Sequence, residues 1–562
     1  MRKLAWIAVV AAAGCSGATA NEGASGAADA GAGNVSFGGQ QDIGEFQQIL
    51  DQGGIPGPDT LDANGFFNEH AAPIAPGCSA TLCLTPGLSV GKDWLTGQHQ
   101  ATLQLSVTTN VDPTQFQRRP LDVVAVIDRS GSMAEDGRLD KVKLGLATMI
   151  AGLQDGDRLA LVSFSDSATV DAPLATLDRD ALTAAVDALA PGGGTDIFDG
   201  LHAGFAMLGS ASSPEREQRV ILLSDGQANE GDANPDDIIA MADGFVEGGI
   251  GITTIGVGDD FDEPLMRGLA EHGAGNFYFL EDPQDATEVF TNELDYFMTP
   301  IALDVQISAT ASPGYTFGDV VGSTLWQSEP ASGDMEIPAV FVARRTDGGS
   351  DGSDGSDGSG NTGAARRGGG SMLFVHLQPT GHNGSDGKVA DITLTYRTPG
   401  SGATQTTTVS LAYPNDPTET PDPPYLSVPE MAPRYAMYNM FLGLRAATES
   451  TDLQCAASML VATRGSASSW LETHTDTDLG SDVAIVNEYL ANLAAVGAQI
   501  SDGNAGPMAA SCLDTGGGIY TPPPVGGYEE PMGCSTGGAT GAGGALAALF
   551  AGAAITRRRR RR

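Results

Sequence analysis

The chain has 562 residues, a length that suggests about three or four domains. Its hydrophobic fraction of 41% can supply buried cores, while 76 glycines and 31 prolines indicate long connections between them. The formal net charge of −41 argues against nucleic acid as a partner, because phosphate groups are bound by Lys and Arg side chains. The same excess of carboxylates is expected to concentrate divalent cations near the surface.

The N-terminal segment 1–20 has the pattern of an export signal. Two basic residues precede a short apolar run at 4–13. Two processing sites overlap there, because Ala20 ends an Ala-x-Ala sequence that suits signal peptidase and Cys15 ends a sequence that resembles a bacterial lipobox. Cleavage after Ala20 and a lipoprotein anchored through Cys15 both remain open. Either outcome predicts that the rest of the chain lies outside the cytoplasm.

The C-terminal segment 534–562 begins with Cys534, continues through a weakly apolar stretch at 545–555 and closes with six arginines. An apolar run followed by a basic cluster is typical of a membrane stop, in which the arginines stay in the cytoplasm. The segment resembles the C-terminal sorting signals of myxobacteria, which implies cleavage near Cys534 and display at the cell surface. An ordinary single-span anchor is the alternative. Both interpretations place the body of the chain outside the cytoplasm. The resemblance further implies the outer membrane or surface of a Gram-negative, myxobacterium-like cell, with membrane contact only through a terminal anchor.

Four cysteines lie outside these two processing segments, and export permits them to form disulfide bonds. Cys78 and Cys83 are close enough in sequence to close a small loop, which leaves Cys455 and Cys512 as a candidate second pair. The sequence contains no CxxC motif and no His/Cys cluster that would indicate zinc.

Composition and periodicity divide the rest of the chain into segments. Residues 121–298 alternate apolar runs with amphipathic helical segments, a pattern typical of a doubly wound α/β domain with a mainly parallel sheet. Period-two alternation at 299–415 predicts a β-sandwich, interrupted by a disordered Asp-Gly-Ser-rich insert at 346–371. Helical spacing returns at 416–500. The remaining segments are a flexible tether at 21–40, an N-terminal element with strands at 41–120 and a linker at 501–533.

Within the α/β segment, continuously apolar runs predict strands that are buried on both faces. Asp178 and Asn234 are expected to cap two of the intervening helices. The strands are expected at 122–127, 158–164, 219–224, 250–257 and 276–280. The helices are expected at 138–153, 178–189, 197–208, 235–247, 262–272 and 283–298.

Three loops that follow predicted strands carry side chains of the kind that bind hard metal ions. One holds a DxSxS sequence at 128–132, one a Thr-Asp pair after three glycines at 192–196, and one a Ser-Asp-Gly sequence at 224–226. Ligand sites in open α/β sheets lie beyond the carboxyl ends of the strands, so these loops are predicted to converge. Two carboxylates and three hydroxyls suit Mg²⁺, with Ca²⁺ or Mn²⁺ as alternatives. The predicted ligands are Asp128, Ser130, Ser132, Thr195 and Asp225.

The order of these three sequences resembles the von Willebrand factor type A (VWA) domain and its metal-ion-dependent adhesion site (MIDAS), on a Rossmann-like fold. The resemblance implies direct metal binding by the hydroxyls of Ser130, Ser132 and Thr195, and direct or water-mediated binding by the two carboxylates. Asp196 is expected to orient its loop instead of binding the metal. The N-terminal element and the C-terminal helical segment are similar to parts of YfbK-like bacterial envelope proteins, a family from which no enzymatic activity carries over.

Enzyme motifs are missing from the sequence. None of the seven histidines lies in an HExxH motif, no GxSxG sequence joins a predicted strand to a predicted helix as a nucleophile elbow would, and no P-loop is present. His202 is expected to be a helix-surface or packed histidine, although its helix would let it approach the metal. Asp476 fits a helix cap better than the start of an EF-hand. The hypothesis is therefore a non-enzymatic, surface-anchored adhesion protein that captures an acidic residue of a protein partner at its metal. The alternative is a scaffold of a cell-envelope complex in which the metal is structural.

Overall fold

The structure is a computed structural model, and it describes only part of the chain. Several of the predicted segments lie outside the described residues: 1–20, the part of 21–40 up to residue 32, 501–533 apart from Cys512, and 534–562. Most of the Asp-Gly-Ser insert and the processing residues Cys15, Ala20 and Cys534 also lie outside them. Within the described part, no helix is long and apolar enough to cross a membrane. The described residues are 33–70, 78–111, 119–211, 215–258, 261–280, 289–290, 300–343, 346–347, 366–367, 369–380, 387–399, 402–500 and 512.

The elements are numbered here in chain order. The strands are β1 (Gly33–Ser36), β2 (Gly39–Gln40), β3 (Cys83–Leu84), β4 (Gly87–Lys92), β5 (His99–Thr109), β6 (Leu121–Asp128), β7 (Arg158–Phe164), β8 (Ala168–Thr176), β9 (Glu217–Ser224), β10 (Ile250–Val257), β11 (Asn276–Leu280), β12 (Ala302–Ala311), β13 (Tyr315–Val321), β14 (Gln327–Glu329), β15 (Ser332–Ala343), β16 (Thr346–Asp347), β17 (Arg366–Arg367), β18 (Met372–Pro379), β19 (Lys388–Arg397), β20 (Thr404–Ala412) and β21 (Tyr425–Leu426). The helices are α1 (Gly44–Asp51), α2 (Ala63–Asn68), α3 (Arg138–Gly152), α4 (Arg179–Asp187), α5 (Ile197–Ser210), α6 (Pro235–Val246), α7 (Glu263–His272), α8 (Met431–Glu449), α9 (Leu453–Leu471) and α10 (Thr477–Ala495).

The central α/β sheet has the strand order β2-β11-β10-β9-β6-β7-β8 among the described residues. Its pairs are parallel except at the edge, where β8 runs antiparallel to β7. β6 is buried along its whole length, because α3 and α4 contribute to the core on one face and α5, α6 and α7 to the core on the other. The predicted doubly wound α/β fold is confirmed. All five predicted strands are present, whereas β8 and the short β2 were not anticipated.

The second large sheet is antiparallel and follows the order β13-β18-β5-β1-β15-β12-β19-β20. The sequence placed a β-sandwich at 299–415, but β5, from the N-terminal element, pairs with β18 and with β1. Leu103 and Leu105 of β5 share one buried core with Val375 of β18 and Ile392 of β19. The sheet therefore combines strands that precede the α/β domain in the sequence with strands that follow it. At the base of the insert, β16 pairs with β17.

The C-terminal helices pack against the N-terminal element. Phe46 of α1 meets Tyr489 of α10 edge-on at 6.0 Å between ring centroids, and Phe66 of α2 lies 5.7 Å from Phe441 of α8. These residues belong to one buried cluster, so the two ends of the described chain stabilise each other. The structure contains the disulfides Cys78–Cys83 and Cys455–Cys512. Asp476 caps α10 by accepting from the backbone N of Leu479 at 3.0 Å.

Candidate metal centre

The first loop of the site leaves the sheet at Asp128, the last residue of β6, whose side chain is buried. Its Oδ1 accepts a hydrogen bond from the backbone N of Ser130 at 2.7 Å, and its Oδ2 accepts from Ser224 Oγ at 2.6 Å. Burial raises the pKa of the Asp128 carboxyl to about 6, although the hydrogen bonds from Ser224 and Ser130 lower it. The carboxylate is thus fixed where the adjacent strands β6 and β9 end.

The two serines of the first loop connect it to the third loop. Ser130 Oγ lies 3.0 Å from Ser132 Oγ, and Ser132 Oγ donates to Asp225 Oδ1 at 2.9 Å. Asp225 directly follows β9 and is wholly buried. The hydroxyls and this carboxylate therefore form a continuous row of oxygen atoms.

Glycines dock the second loop onto the first. Gly192 and Gly193 have φ angles of +153° and +94°, values at which a side chain would strain the backbone. The backbone N of Gly192 donates to the Arg129 carbonyl at 2.7 Å, and the backbone N of Gly131 donates to the Gly193 carbonyl at 3.1 Å. These two bonds bring Thr195, two residues after Gly193, to the DxSxS turn.

Gly226 marks the point where the three loops meet. A Cβ atom added to it would lie 3.5 Å from Thr195 Oγ1 and 3.7 Å from Asp128 Oδ2. Thr195 is itself held by Asn229, whose Oδ1 accepts from the Thr195 backbone N at 2.9 Å and whose Nδ2 donates to Thr195 Oγ1 at 3.4 Å. The structure therefore brings all five predicted ligand residues together.

The sequence reasoning missed Arg138, the first residue of α3. Its Nη1 donates to Asp225 Oδ2 at 2.9 Å, and both side chains are buried. No motif marked this arginine, because its distance from Asp225 in the sequence gives no hint of the contact. Its charge offsets one of the two carboxylates of the site.

Two other residues singled out in the sequence lie on α5. Asp196 caps this helix by accepting from the backbone N of Asp199 at 2.9 Å, as expected for a residue that orients its loop. His202 is exposed on the same helix, and its ring is stacked with that of Phe198 at a centroid distance of 6.3 Å.

The donor chemistry of the site fits a divalent cation that prefers oxygen. Two carboxylates and three hydroxyls converge there, and Arg138 leaves a net charge of about −1. Among the described residues, at this site as well as in the rest of the structure, no group of three or more His, Cys, Asp or Glu side chains is suited to hold a metal. Hydroxyl oxygens would therefore be the majority of the protein ligands at this centre.

Comparison with known proteins places this site in a recognised domain. Residues 122–292 match the family model of the von Willebrand factor type A domain. The chain is 27% identical over 196 residues to the uncharacterized protein YfbK of Escherichia coli (strain K12), a match over 34% of each protein. It is 28% identical over 193 residues, 34% of this chain and 44% of the other, to an uncharacterized protein of Synechocystis.

Among solved structures, the von Willebrand factor type A protein from Catenulispora acidiphila covers 75% of this chain and 88% of its own, with 16% identity and a TM-score of 0.43. The chain spans less than half the length of the two curated relatives above, so the match concerns a domain and not the whole of those proteins. Residues 122–292 of this chain form a von Willebrand factor type A domain.

Proposed function

We propose that this chain is an exported protein whose VWA domain captures a partner protein through a bound divalent cation. The convergence of five oxygen-bearing side chains, from loops after β6 and β9 and before α5, is the observation that carries the proposal. VWA domains commonly serve metal-dependent protein interaction, which gives the site a function consistent with its domain.

The residues of the site have distinct parts in this function. The hydroxyls of Ser130, Ser132 and Thr195 would hold the cation together with the two carboxylates, and Arg138 would keep Asp225 in place. When bound, the cation, for which we propose Mg²⁺, supplies a positive centre that can accept an acidic side chain from the partner. Neutral hydroxyl ligands neutralise little of the cation's charge, which leaves it able to attract that further carboxylate.

Display outside the cytoplasm is part of the same proposal. The export-type sequence at 1–20 and the sorting-type sequence at 534–562 support it. The disulfides Cys78–Cys83 and Cys455–Cys512 also support it, since such bonds persist in oxidising compartments. The proposed location is the cell surface, where the site would meet proteins of the envelope or of a neighbouring cell.

The test compares the folded wild-type chain with the double variant Ser130→Ala, Ser132→Ala. Calorimetry with Mg²⁺, Ca²⁺ and Mn²⁺ is expected to show one site in the wild type and its loss in the variant. Capture of envelope proteins is expected to be lost with EDTA and in the variant. The matched control, Ser328→Ala with Ser332→Ala, removes two exposed hydroxyls of the antiparallel sheet and is expected to behave as the wild type.

Two outcomes would redirect the proposal. Capture that is indifferent to EDTA and to the double variant would contradict metal-dependent binding. If EDTA instead lowers the midpoint of thermal unfolding and leaves capture intact, the metal is structural and the chain is better described as an envelope scaffold.

A further inference from the structure

Four exposed carboxylates lie on the segments that build the metal centre or in contact with them, and we call this group the acidic rim: Glu135, Asp136, Asp166 and Glu230. None of them belongs to the proposed ligand set. They come from three separate segments of the chain, namely the turn before α3, the turn after β7 and the loop after β9. Their common feature is that they are exposed on, or in contact with, the loops that carry the proposed ligands.

Asp166 and Glu230 lie on the two sides of Gly194, the residue before Thr195. A Cβ atom at Gly194 would meet Glu230 Cγ at 2.5 Å and Asp166 Oδ1 at 3.0 Å. The backbone N of Gly194 donates to that Asp166 oxygen at 2.6 Å, which fixes the carboxylate against the loop. The Asp166 carboxylate and the Glu230 side chain therefore both lie beside the residue that precedes a proposed metal ligand.

Glu135 and Asp136 lie in the 3-10 segment Gly131–Gly137, which includes Ser132 itself. Asp136 adopts a φ of +45°, a left-handed conformation that breaks the helix and turns the chain towards α3. Both side chains are exposed. The segment that supplies the Ser132 hydroxyl to the metal centre thus also carries two exposed acids.

The three loops that build the metal centre carry less positive charge than negative. Arg138 is buried against Asp225 and adds no exposed cation, and Arg129 is half-buried in the turn between Asp128 and Ser130. Arg129 can offset at most one of the four rim charges. A partner carboxylate reaching the metal must therefore pass a surface that repels acidic groups.

From this charge pattern we infer that the partner presents a single carboxylate set within a basic surface of Lys or Arg side chains. The inference rests on the proposed function, because the carboxylate is the group expected at the metal. Screening at physiological salt acts over about 8 Å, so the rim charges influence groups next to that carboxylate and not distant parts of the partner. Opposite charges around a contact raise the association rate and exclude partners of the wrong sign.

The test uses immobilised peptides of one length that carry one central Asp flanked by lysines, by serines or by glutamates. A fourth peptide replaces the Asp of the lysine-flanked sequence with Asn. Binding of the full chain is measured at saturating Mg²⁺, with and without EDTA, at low and at high NaCl. The lysine-flanked Asp peptide is expected to bind about tenfold more tightly than the serine-flanked one at low salt, with the ratio shrinking as salt rises.

A rim variant provides the second arm: Glu135→Gln, Asp136→Asn, Asp166→Asn and Glu230→Gln together. It is expected to bind the lysine-flanked and serine-flanked peptides equally well. Asn at position 166 keeps an acceptor for the Gly194 backbone N, and Asn tolerates the left-handed backbone at 136. The matched control neutralises four exposed acids outside the rim and is expected to keep the wild-type preference: Asp187→Asn, Glu329→Gln, Asp334→Asn and Glu336→Gln.

The outcomes distinguish a failure of the inference about the acidic rim from a failure of the proposed function. If the serine- or glutamate-flanked Asp peptide binds as tightly as the lysine-flanked one, and EDTA abolishes all binding, the inference about the rim fails and the proposed function stands. If the Asn peptide binds as well as its Asp counterpart, or EDTA has no effect, carboxylate capture itself fails. A lysine preference that persists in the rim variant would also overturn the inference.

Discussion

Arg138 Nη1 donates to Asp225 Oδ2 across 2.9 Å, and both side chains are buried beneath the metal centre. The guanidinium therefore supplies positive charge to a carboxylate that the proposed cation would also contact. Because Arg138 already pairs with Asp225, this buried carboxylate has a charge partner before a metal binds. The arrangement also couples the stability of the fold to metal binding. If Arg138 is removed, the stability of the fold should depend more strongly on the bound cation.

The first prediction is that Arg138→Met destabilises the metal-free protein by about 3–5 kcal/mol, the usual cost of leaving a buried charge without its partner. Added Mg²⁺ should recover part of that loss, so the Mg²⁺-induced rise in the thermal midpoint should be larger in the variant than in the wild type. Thermal unfolding with EDTA and with Mg²⁺ measures both quantities. Arg445→Met, which removes a surface ion pair with Glu449 on α8, is the control, and equal Mg²⁺ effects in Arg138→Met and wild type would contradict the coupling.

The second prediction concerns Ser224, whose hydroxyl donates to the buried Oδ2 of Asp128 at 2.6 Å. Ser224→Ala removes this donor and leaves the oxygen in a buried place. We expect a loss of about 1–3 kcal/mol in the free energy of unfolding of the metal-free protein, measured with urea. Ser328→Ala, at an exposed strand position, should cost little, and a loss as small as that in Ser224→Ala would contradict the assigned role.

The sequence alone was sufficient to predict the strands formed by continuous apolar runs, and to predict the site residues that belong to motifs. Strand β6 and Ser130 are examples, since a local pattern identifies each. Strand β8 escaped notice because it is an exposed edge strand, with Val170 51% exposed, and edge strands need no apolar period. The place of β5 in the second sheet also escaped, because strand pairing depends on residues far away in the chain.

Arg138 shows the same limit at the site itself. Local sequence predicts that it begins a helix, but its pairing with Asp225 follows from how α3 packs beside β9. The acidic rim differs, because its members are visible in the sequence as ordinary surface acids. Only the loop geometry around Gly194 shows that Asp166 and Glu230 lie together at the edge of the metal centre.

The third prediction concerns Glu263 of α7, which faces Glu45 of the N-terminal element. Burial and the neighbouring Glu45 carboxylate raise the pKa of Glu263 to about 9, against the lowering effect of Arg267, and Asp62 also raises it. A raised carboxyl pKa gives stability that is present below the ordinary value and lost as pH rises towards the folded value. The wild type should therefore lose stability between about pH 5 and pH 9 from this group.

Glu263→Gln keeps the shape of the protonated carboxyl and removes this loss. We expect little change in the free energy of unfolding at about pH 5 and a gain at about pH 8, measured by urea unfolding at both values. Glu247→Gln, exposed after α6, serves as the control. A Glu263→Gln effect that is the same at both pH values would show that the carboxyl is not protonated in the folded chain.

The last prediction concerns the buried pair His70 and Asp482, which joins the N-terminal element to α10. His70 Nδ1 donates to the Phe66 carbonyl and its Nε2 donates to Asp482 Oδ2, each at 2.7 Å, so both ring nitrogens carry a proton. Burial lowers the pKa of His70, but the Asp482 carboxylate outweighs it and the net shift is upward. Arg366, which donates to Asp482 Oδ1 at 2.8 Å, helps to keep the pKa of that carboxyl below its usual value despite burial.

A histidine with a raised pKa contributes stability that is fully present below its unfolded pKa and is lost as pH rises through the folded one. His70→Gln should therefore lower the free energy of unfolding more at about pH 5.5 than at about pH 8.5, measured against the wild type at each value. His202→Gln, exposed on α5, should show no such pH dependence. A cost for His70→Gln that stays constant or grows with pH would mean that the imidazole is neutral in the folded protein, and that Asp482 depends chiefly on Arg366 for its charge partner.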